Sequence, residues 1–228
     1  MSTGARTRAV WSDFGGVLTP PVAVTLRRYC ADISVPVDAF QAALRTVAAS
    51  YGLEDVMAPL DTPLIDQRSW ERQVERALAD VGVTTDLTDF PRRWFADRAV
   101  NGEWISQLRA LRGRGVFIGM LSNMPPSWDF HWREIVPDGL FDDVILSFEV
   151  GCRKPDFEIF RLAAQRADVA PEDCILVDDL YTNCLGARVA RWQAVEFRTA
   201  NAAGHAVESL LGDPSSGIQP LKTGTQHR

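Results

Sequence analysis

Short apolar runs, rich in β-branched residues, recur along the chain. Each is followed by a polar or glycine turn and then by a stretch with helical spacing. The runs are Ala9–Trp11, Val116–Leu121, Val144–Phe148, Cys174–Val177 and Ala194–Phe197. Their apolar residues are continuous rather than alternating, which predicts strands covered on both faces, as in a parallel sheet. Between Pro155 and Ala167, the residues Phe160, Ala163, Ala164 and Ala167 fall on one face of a helix. Pro155 suits its first position, and Asp156 and Glu158 complement the dipole of its first turn. Strands alternating with helices predict an α/β fold with a doubly wound parallel sheet.

One interval breaks the rhythm. From Pro20 to about Arg98 no strand pattern occurs. Asp38 and Gln41 read as a capping box for a helix carrying Phe40, Leu44, Val47 and Ala48. A second helix carries Trp70, Val74, Ala77, Leu78 and Val81. Gly52, Pro59, Pro63, Gly82 and Pro91 punctuate the interval. It reads as a small helical unit inserted after the first strand, the alternative being extra helices packed on the sheet. The expected division is an α/β core from residues 1–19 and 99–211, a helical insertion over 20–98, and a disordered tail over 212–228, a polar segment rich in Gly, Pro and Ser.

Composition narrows the function classes. In 228 residues there are 24 Lys and Arg against 30 Asp and Glu, a net charge of −6. That balance argues against a nucleic-acid partner, which needs a basic face, and against an anionic membrane surface. Hydrophobic residues at 46% and charged residues at 24% exclude global disorder. Cys30, Cys152, Cys174 and Cys184 show neither paired nor zinc-ligand spacing, so a reducing cytoplasmic setting is expected. Met1–Arg8 is polar and basic with no apolar run behind it, unlike a signal peptide. No apolar stretch approaches the ~20 residues of a spanning helix.

In an open α/β sheet, ligands bind beyond the carboxyl ends of the strands. Past the first strand stand Asp13-Phe14-Gly15-Gly16, and past the second Ser122-Asn123. Past the third stand Arg153-Lys154-Pro155-Asp156, and past the fourth Asp178-Asp179. Three carboxylates, a hydroxyl, an amide and a lysine would meet in one crevice. Such carboxylates cannot all stay ionised without a cation, and a hard one with oxygen ligands, Mg2+ above all, is the natural partner. Metal and lysine would then accept an anionic, oxygen-rich substrate such as phosphate, which a carboxylate can attack.

The pattern resembles the haloacid dehalogenase-like (HAD) superfamily, mostly phosphohydrolases. Four blocks carry the resemblance, in order, over about residues 8–198: Trp11 to Leu18, Met120 to Asn123, Arg153 to Asp156 with Ile159-Phe160, and Leu176 to Asp179 with Asn183. It implies a Rossmann-like core with a small helical cap, and it looks most like the branch with the phosphatase domain of soluble epoxide hydrolases and some sugar-phosphate phosphatases. By position it implies Asp13 as nucleophile, the Gly15 carbonyl as a metal ligand and Ser122 as a phosphoryl-oxygen donor. It further implies Lys154 as the charge stabiliser, Asp179 as a direct metal ligand and Asp178 as a direct or more distant one. Asn123, beside the phosphate, and Asn183 are supporting positions.

One departure stands out. The family's second aspartate, the general acid and base two residues after the nucleophile, is Gly15 here. Some members of this branch begin with an Asp-x-Gly block. A glycine carbonyl can bind metal but cannot move a proton, and that group is typically worth ~10²–10⁴ in rate. Three readings follow. The first is a Mg2+-dependent phosphatase of a small phosphorylated metabolite. The second is a weak or inactive binding or regulatory relative. The third is a 2-haloacid dehalogenase, against which the Asp178-Asp179 pair argues. Gly113, Gly115 and Gly119 precede or lie inside a strand and so are no dinucleotide fingerprint. His131, His205 and His227 receive no role. Trp70, Trp94 and Trp104 are expected in the core, with a pocket wall under the cap as the sharper alternative. Neither substrate nor oligomeric state is written in the blocks.

Overall fold

The computed structural model describes residues 8–212, so the expected tail falls outside the described residues from 213 onward. Five parallel strands form one sheet: β1 (Ala9–Ser12), β2 (Phe117–Ser122), β3 (Asp143–Leu146), β4 (Cys174–Asp178) and β5 (Gln193–Glu196). Their order is β3-β2-β1-β4-β5. The chain winds outward from β1 to one edge, then returns and winds to the other. The switch point therefore lies between β1 and β4, where such sheets bind ligands. Ser12 pairs with Met120 of β2 and Val177 of β4, so the residues just after it end level with both neighbours.

Helices cover both faces. Between β1 and β2 lie α1 (Val22–Asp32), α2 (Val37–Ser50), α3 (Ala58–Asp61), α4 (Gln67–Ala79), α5 (Phe90–Phe95) and α6 (Gly102–Gly113). After β2 come α7 (Asp129–Ile135), α8 (Ser147–Val150), α9 (Phe157–Ala167), α10 (Tyr181–Val189) and α11 (Ala200–Leu211). Among the described residues, no helix is long and apolar enough to cross a membrane.

Alternate strand residues face opposite ways, so the continuous apolar runs feed two cores. Ala9, Trp11, Leu121 and Leu176 pack with Phe160 and Ala163 of α9. Val10, Met120, Ile175 and Val177 join a larger cluster that continues into α1, α2, α4 and α5. Gly119 belongs to this packing: a Cβ there would lie 2.2 Å from the Trp11 ring.

Local details differ from expectation. The third apolar run stops being strand at Leu146, because Ser147 opens α8. Its hydroxyl accepts from the Met124 N–H at 3.0 Å and donates to the Asp61 carbonyl at 2.9 Å. Pro155 lies outside α9, which starts at Phe157 after Asp156. Asp38 is no cap: α2 starts at Val37, which places Asp38 inside the first turn, where it still suits the dipole. The cap of α4 is Asp66, which accepts the Ser69 N–H at 2.8 Å, and Val81 lies beyond that helix, exposed. Trp104 is buried in α6, and its indole N–H donates to Ser12 Oγ at 3.0 Å, propping the end of β1.

Candidate active site

Asp13 continues β1 in extended geometry, its N–H donating to the Val177 carbonyl at 2.9 Å. The chain then turns through two glycines of different character. Gly16 has φ +81°, and a Cβ there would lie 2.1 Å from Asp179 Oδ2. Only glycine allows both that backbone conformation and the close approach of Asp179. Gly15 has φ −74°, and its Cβ would meet nothing nearer than Val22 Cγ2 at 3.5 Å, an ordinary contact.

Lys154 stands at the centre, 1% exposed. Its Nζ donates to Asp13 Oδ1 at 2.8 Å and to Asp178 Oδ2 at 2.6 Å. Asn123 clamps the lysine backbone on both sides. Its Nδ2 donates to the Lys154 carbonyl and its Oδ1 accepts the Lys154 N–H, each at 2.8 Å. Asp178, fully buried, accepts three donors: Lys154, the Leu180 N–H at 2.9 Å and Asn183 Nδ2 at 3.0 and 3.1 Å. Ser122 is buried, and its hydroxyl makes only a long 3.4 Å bond to the Asn123 carbonyl among the described residues.

One oxygen from each of Asp13, Asp178 and Asp179 lies within 4.8 Å of the others. Burial pushes Asp13 up to about 7; Lys154 pulls it down, while Asp178 and Asp179 push it further up. Burial and the charge of Asp178 raise Asp179 to about 6. Burial opposes the charge of Lys154, yet Asp13 and Asp178 outweigh it, so its pKa is raised and the ammonium stays charged. Three carboxylates facing one lysine leave two negative charges uncompensated. All-oxygen donors with that surplus fit a hard divalent cation such as Mg2+.

The group opens into a cavity of about 450 Å³ lined by Asp13, Gly15, Ser122, Asn123, Lys154 and Asp179. Asn183 also lines it, whereas Asp178 sits behind Lys154. Trp70 and Trp94 reach its wall, and Trp104 does not.

Several lining residues escaped the sequence reading. Asp61 of α3 is 3% exposed, and Arg153 donates to it at 3.1 Å and to Asp55 at 2.7 Å. Burial raises Asp61 to about 7 against the pull of Arg153. Arg153 stands beside Lys154 in a block already singled out, so a signal for it existed. Arg98 and Trp128 carried none, since both reach the cavity only through packing of distant segments.

The haloacid dehalogenase-like hydrolase model matches residues 7–191. A phosphoserine phosphatase of Thermus thermophilus is 38% identical over 157 residues, 63% of this chain and 62% of that protein. A sesquiterpene phosphatase of Aspergillus oryzae is 32% identical over 109 residues, 47% of this chain and 55% of that protein. The chain thus spans little more than half the length of these relatives. A HAD family enzyme from Bacteroides thetaiotaomicron superposes with a TM-score of 0.66 at 18% identity, covering 89% of this chain and 99% of the other. The wild-type form of that enzyme has also been crystallised with magnesium and inorganic phosphate, and this complex superposes with a TM-score of 0.59. With the sheet order, the switch-point site and a family match over most of its length, the chain belongs to the haloacid dehalogenase-like hydrolases.

Proposed function

We propose that the protein is a Mg2+-dependent phosphatase of a small phosphorylated metabolite. One observation carries the reading: Lys154 bridges Asp13 and Asp178 at the floor of a cavity, with Asp179 within 4.8 Å of both carboxylates. The phosphatase relatives and the magnesium and phosphate in the structural neighbour support it. Four free thiols fit a reducing cytoplasmic compartment. Residues 20–98 serve as the cap over a core of 1–19 and 99–211.

Asp13 and Asp179, with the Gly15 carbonyl, would hold the cation, and Asp178 would help directly or by anchoring Lys154. When bound, Mg2+ supplies positive charge to the phosphoryl oxygens and keeps the carboxylates ionised. Asp13 is the nucleophile: a carboxylate oxygen bonds to phosphorus, and the ester P–O bond breaks with its electron pair on the leaving oxygen. Lys154 stabilises the charge shared by Asp13 and the phosphoryl group, and Ser122 donates to a phosphoryl oxygen. Water then releases phosphate and restores the Asp13 carboxylate. Overall, one water supplies the oxygen on phosphorus and the proton on the alcohol. Gly15 has no side chain to carry that proton, so esters with good leaving groups are favoured.

A panel of phosphate esters with and without Mg2+ tests the reading. Turnover that disappears with EDTA and in Asp13→Asn supports it. No hydrolysis of any ester, or indifference to both changes, sinks it. Gly15 favours a second reading, a relative that binds without turnover. Calorimetry showing Mg2+ and phosphate binding beside absent hydrolysis would select it.

A further inference from the structure

The cavity above Asp13 joins two unlike surfaces. Its floor is ionic. Much of its wall is apolar and comes from the interval between β1 and α6, with Leu26, Phe40, Leu44, Trp70, Phe90 and Trp94. Trp128, after β2, completes it. Trp94 stacks on Phe90 at 5.5 Å and on Trp128 at 5.8 Å between ring centres, and Trp70 meets Phe90 edge-on at 5.0 Å. A volume of about 450 Å³ leaves room for far more than a phosphoryl group.

The hydrogen-bonding inventory of this wall is one-sided. The indole N–H groups of Trp70, Trp94 and Trp128 are buried without a partner, and an indole only donates. Of the acceptors near it, Asp55 Oδ2 and Asp61 Oδ2 hold Arg153 and Asn123 Oδ1 holds the Lys154 N–H, while the exposed Gln41 lies at the edge of the cavity. The three indole N–H groups are buried rather than open to the cavity, so the hydroxyls of a sugar carried on the phosphate would meet aromatic and aliphatic faces, at a cost for each polar group left unpaired. A hydrocarbon body loses no hydrogen bonds there and gains by leaving water.

Arg98 marks where the anionic end belongs. It lines the same cavity, is 7% exposed, and its Nε and Nη1 have no partner. Its guanidinium lies 5.3 Å from the ring centres of Phe14 and Phe95 and 5.8 Å from that of Trp94. Among the described residues, no carboxylate pairs with it. Burial lowers its pKa only to about 10, so it stays charged at neutral pH. Asp13 acts on it only through space, without a hydrogen bond; a buried cation that lacks a contact partner is costly, and an arriving anion relieves that cost.

We infer that the substrate is the phosphate ester of a bulky apolar alcohol, its hydrocarbon body against the Phe40, Trp70, Phe90 and Trp94 wall and its anionic end between Asp13 and Arg98. This rests on the phosphatase reading of the floor and adds the substrate class.

The test is calorimetric titration of the Mg2+-loaded protein with n-alkyl phosphonates from ethyl to octyl. Their P–C bond is not hydrolysed, so affinity is read whether or not esters are turned over. The Kd is expected to fall about two- to fourfold with each methylene until the cavity fills, with a negative heat-capacity change. A flat series, or a gain retained when the chain carries hydroxyls, overturns the inference. Arg98→Gln is expected to weaken every member about tenfold or more while keeping the slope. Unchanged affinity in that variant removes Arg98 from the anion site. Hydrolysis of ethyl and p-nitrophenyl phosphate by the same protein reports separately on the floor. Cleavage with a flat series overturns the apolar class alone. A steep series with no cleavage of these or of the longer alkyl phosphate esters upholds the apolar class and overturns the phosphatase reading.

Discussion

The floor and the wall of the cavity solve opposite problems. On the floor the groups around Lys154 are committed to one another. Lys154 bridges two aspartates, Asn123 clamps the lysine backbone, and Asp178 takes donors from Lys154, Leu180 and Asn183. On the wall, outside the pairing of Arg153 with Asp55 and Asp61, several buried donors are uncommitted: the N–H groups of Trp70, Trp94, Trp128 and Arg98. A hydrogen-bonded floor holds reacting groups in place before substrate arrives, which chemistry requires. An apolar wall accepts a body by shape and burial, which selection requires. Under the proposed function, that difference would separate catalysis from specificity within one cavity.

The strongest blow to the floor is Asp13→Asn. Turnover is expected to fall about 10⁴-fold or more with the fold intact, read by steady-state kinetics beside circular dichroism. Loss below tenfold would mean that Asp13 is not the nucleophile. Next is Lys154→Met, which leaves Asp13 and Asp178 buried and unpaired. It should cost about 3–5 kcal/mol in urea unfolding. Trp94→Phe, by contrast, removes an N–H that has no partner, so it should cost less than about 1.5 kcal/mol. Equal costs would erase the contrast between the two regions.

The glycines sharpen it further. Gly16→Ala drives a methyl into Asp179 and forces an unfavourable φ, so Mg2+ affinity should fall about 10–100-fold by titration. Gly15→Ala meets only an ordinary contact and should leave Mg2+ binding within about twofold.

Protonation comes next. Asp13 and Asp61 are raised from the ordinary 3.8 to about 7, and Asp179 to about 6. Between about pH 4 and 7 these three carboxyls therefore hold more protons in the folded metal-free chain than in the unfolded one. Its melting temperature should fall as pH rises through that window. Mg2+ should flatten the share due to Asp13 and Asp179 and leave that of Asp61, which scanning fluorimetry reads directly. A melting temperature rising with pH would contradict the cause given for these shifts.

Among the changes in turnover, the smallest expected is that of Gly15→Asp. A carboxylate placed there should raise turnover of alkyl esters about tenfold, below the usual range for general acid catalysis because nothing positions it. It should barely change nitrophenyl esters. No change on either means the proton comes from elsewhere.

The fold was legible because buried parallel strands are continuous apolar runs, and helices carry their own periodicity. The floor was legible for the same reason: Asp13, Ser122, Lys154 and Asp178 each follow a run, and parallel strands bring those ends to one edge. Local rules failed where capping depended on the neighbouring backbone, as at Asp38, Asp66 and Pro155. The part played by Asn123 was hidden as well, since its clamp on Lys154 joins segments 31 residues apart.

By itself the sequence determined the α/β architecture, the helical interval after β1 and the set of charged groups at the strand ends, because periodicity and strand order along the chain are local properties. Only the tertiary structure decided that Asp178 stands behind Lys154, that Gly16 rather than Gly15 is the glycine Asp179 requires, and that Arg98 and Trp128 line the same cavity as Asp13. Those facts depend on which surfaces pack together, and packing of residues distant in sequence leaves no spacing to read.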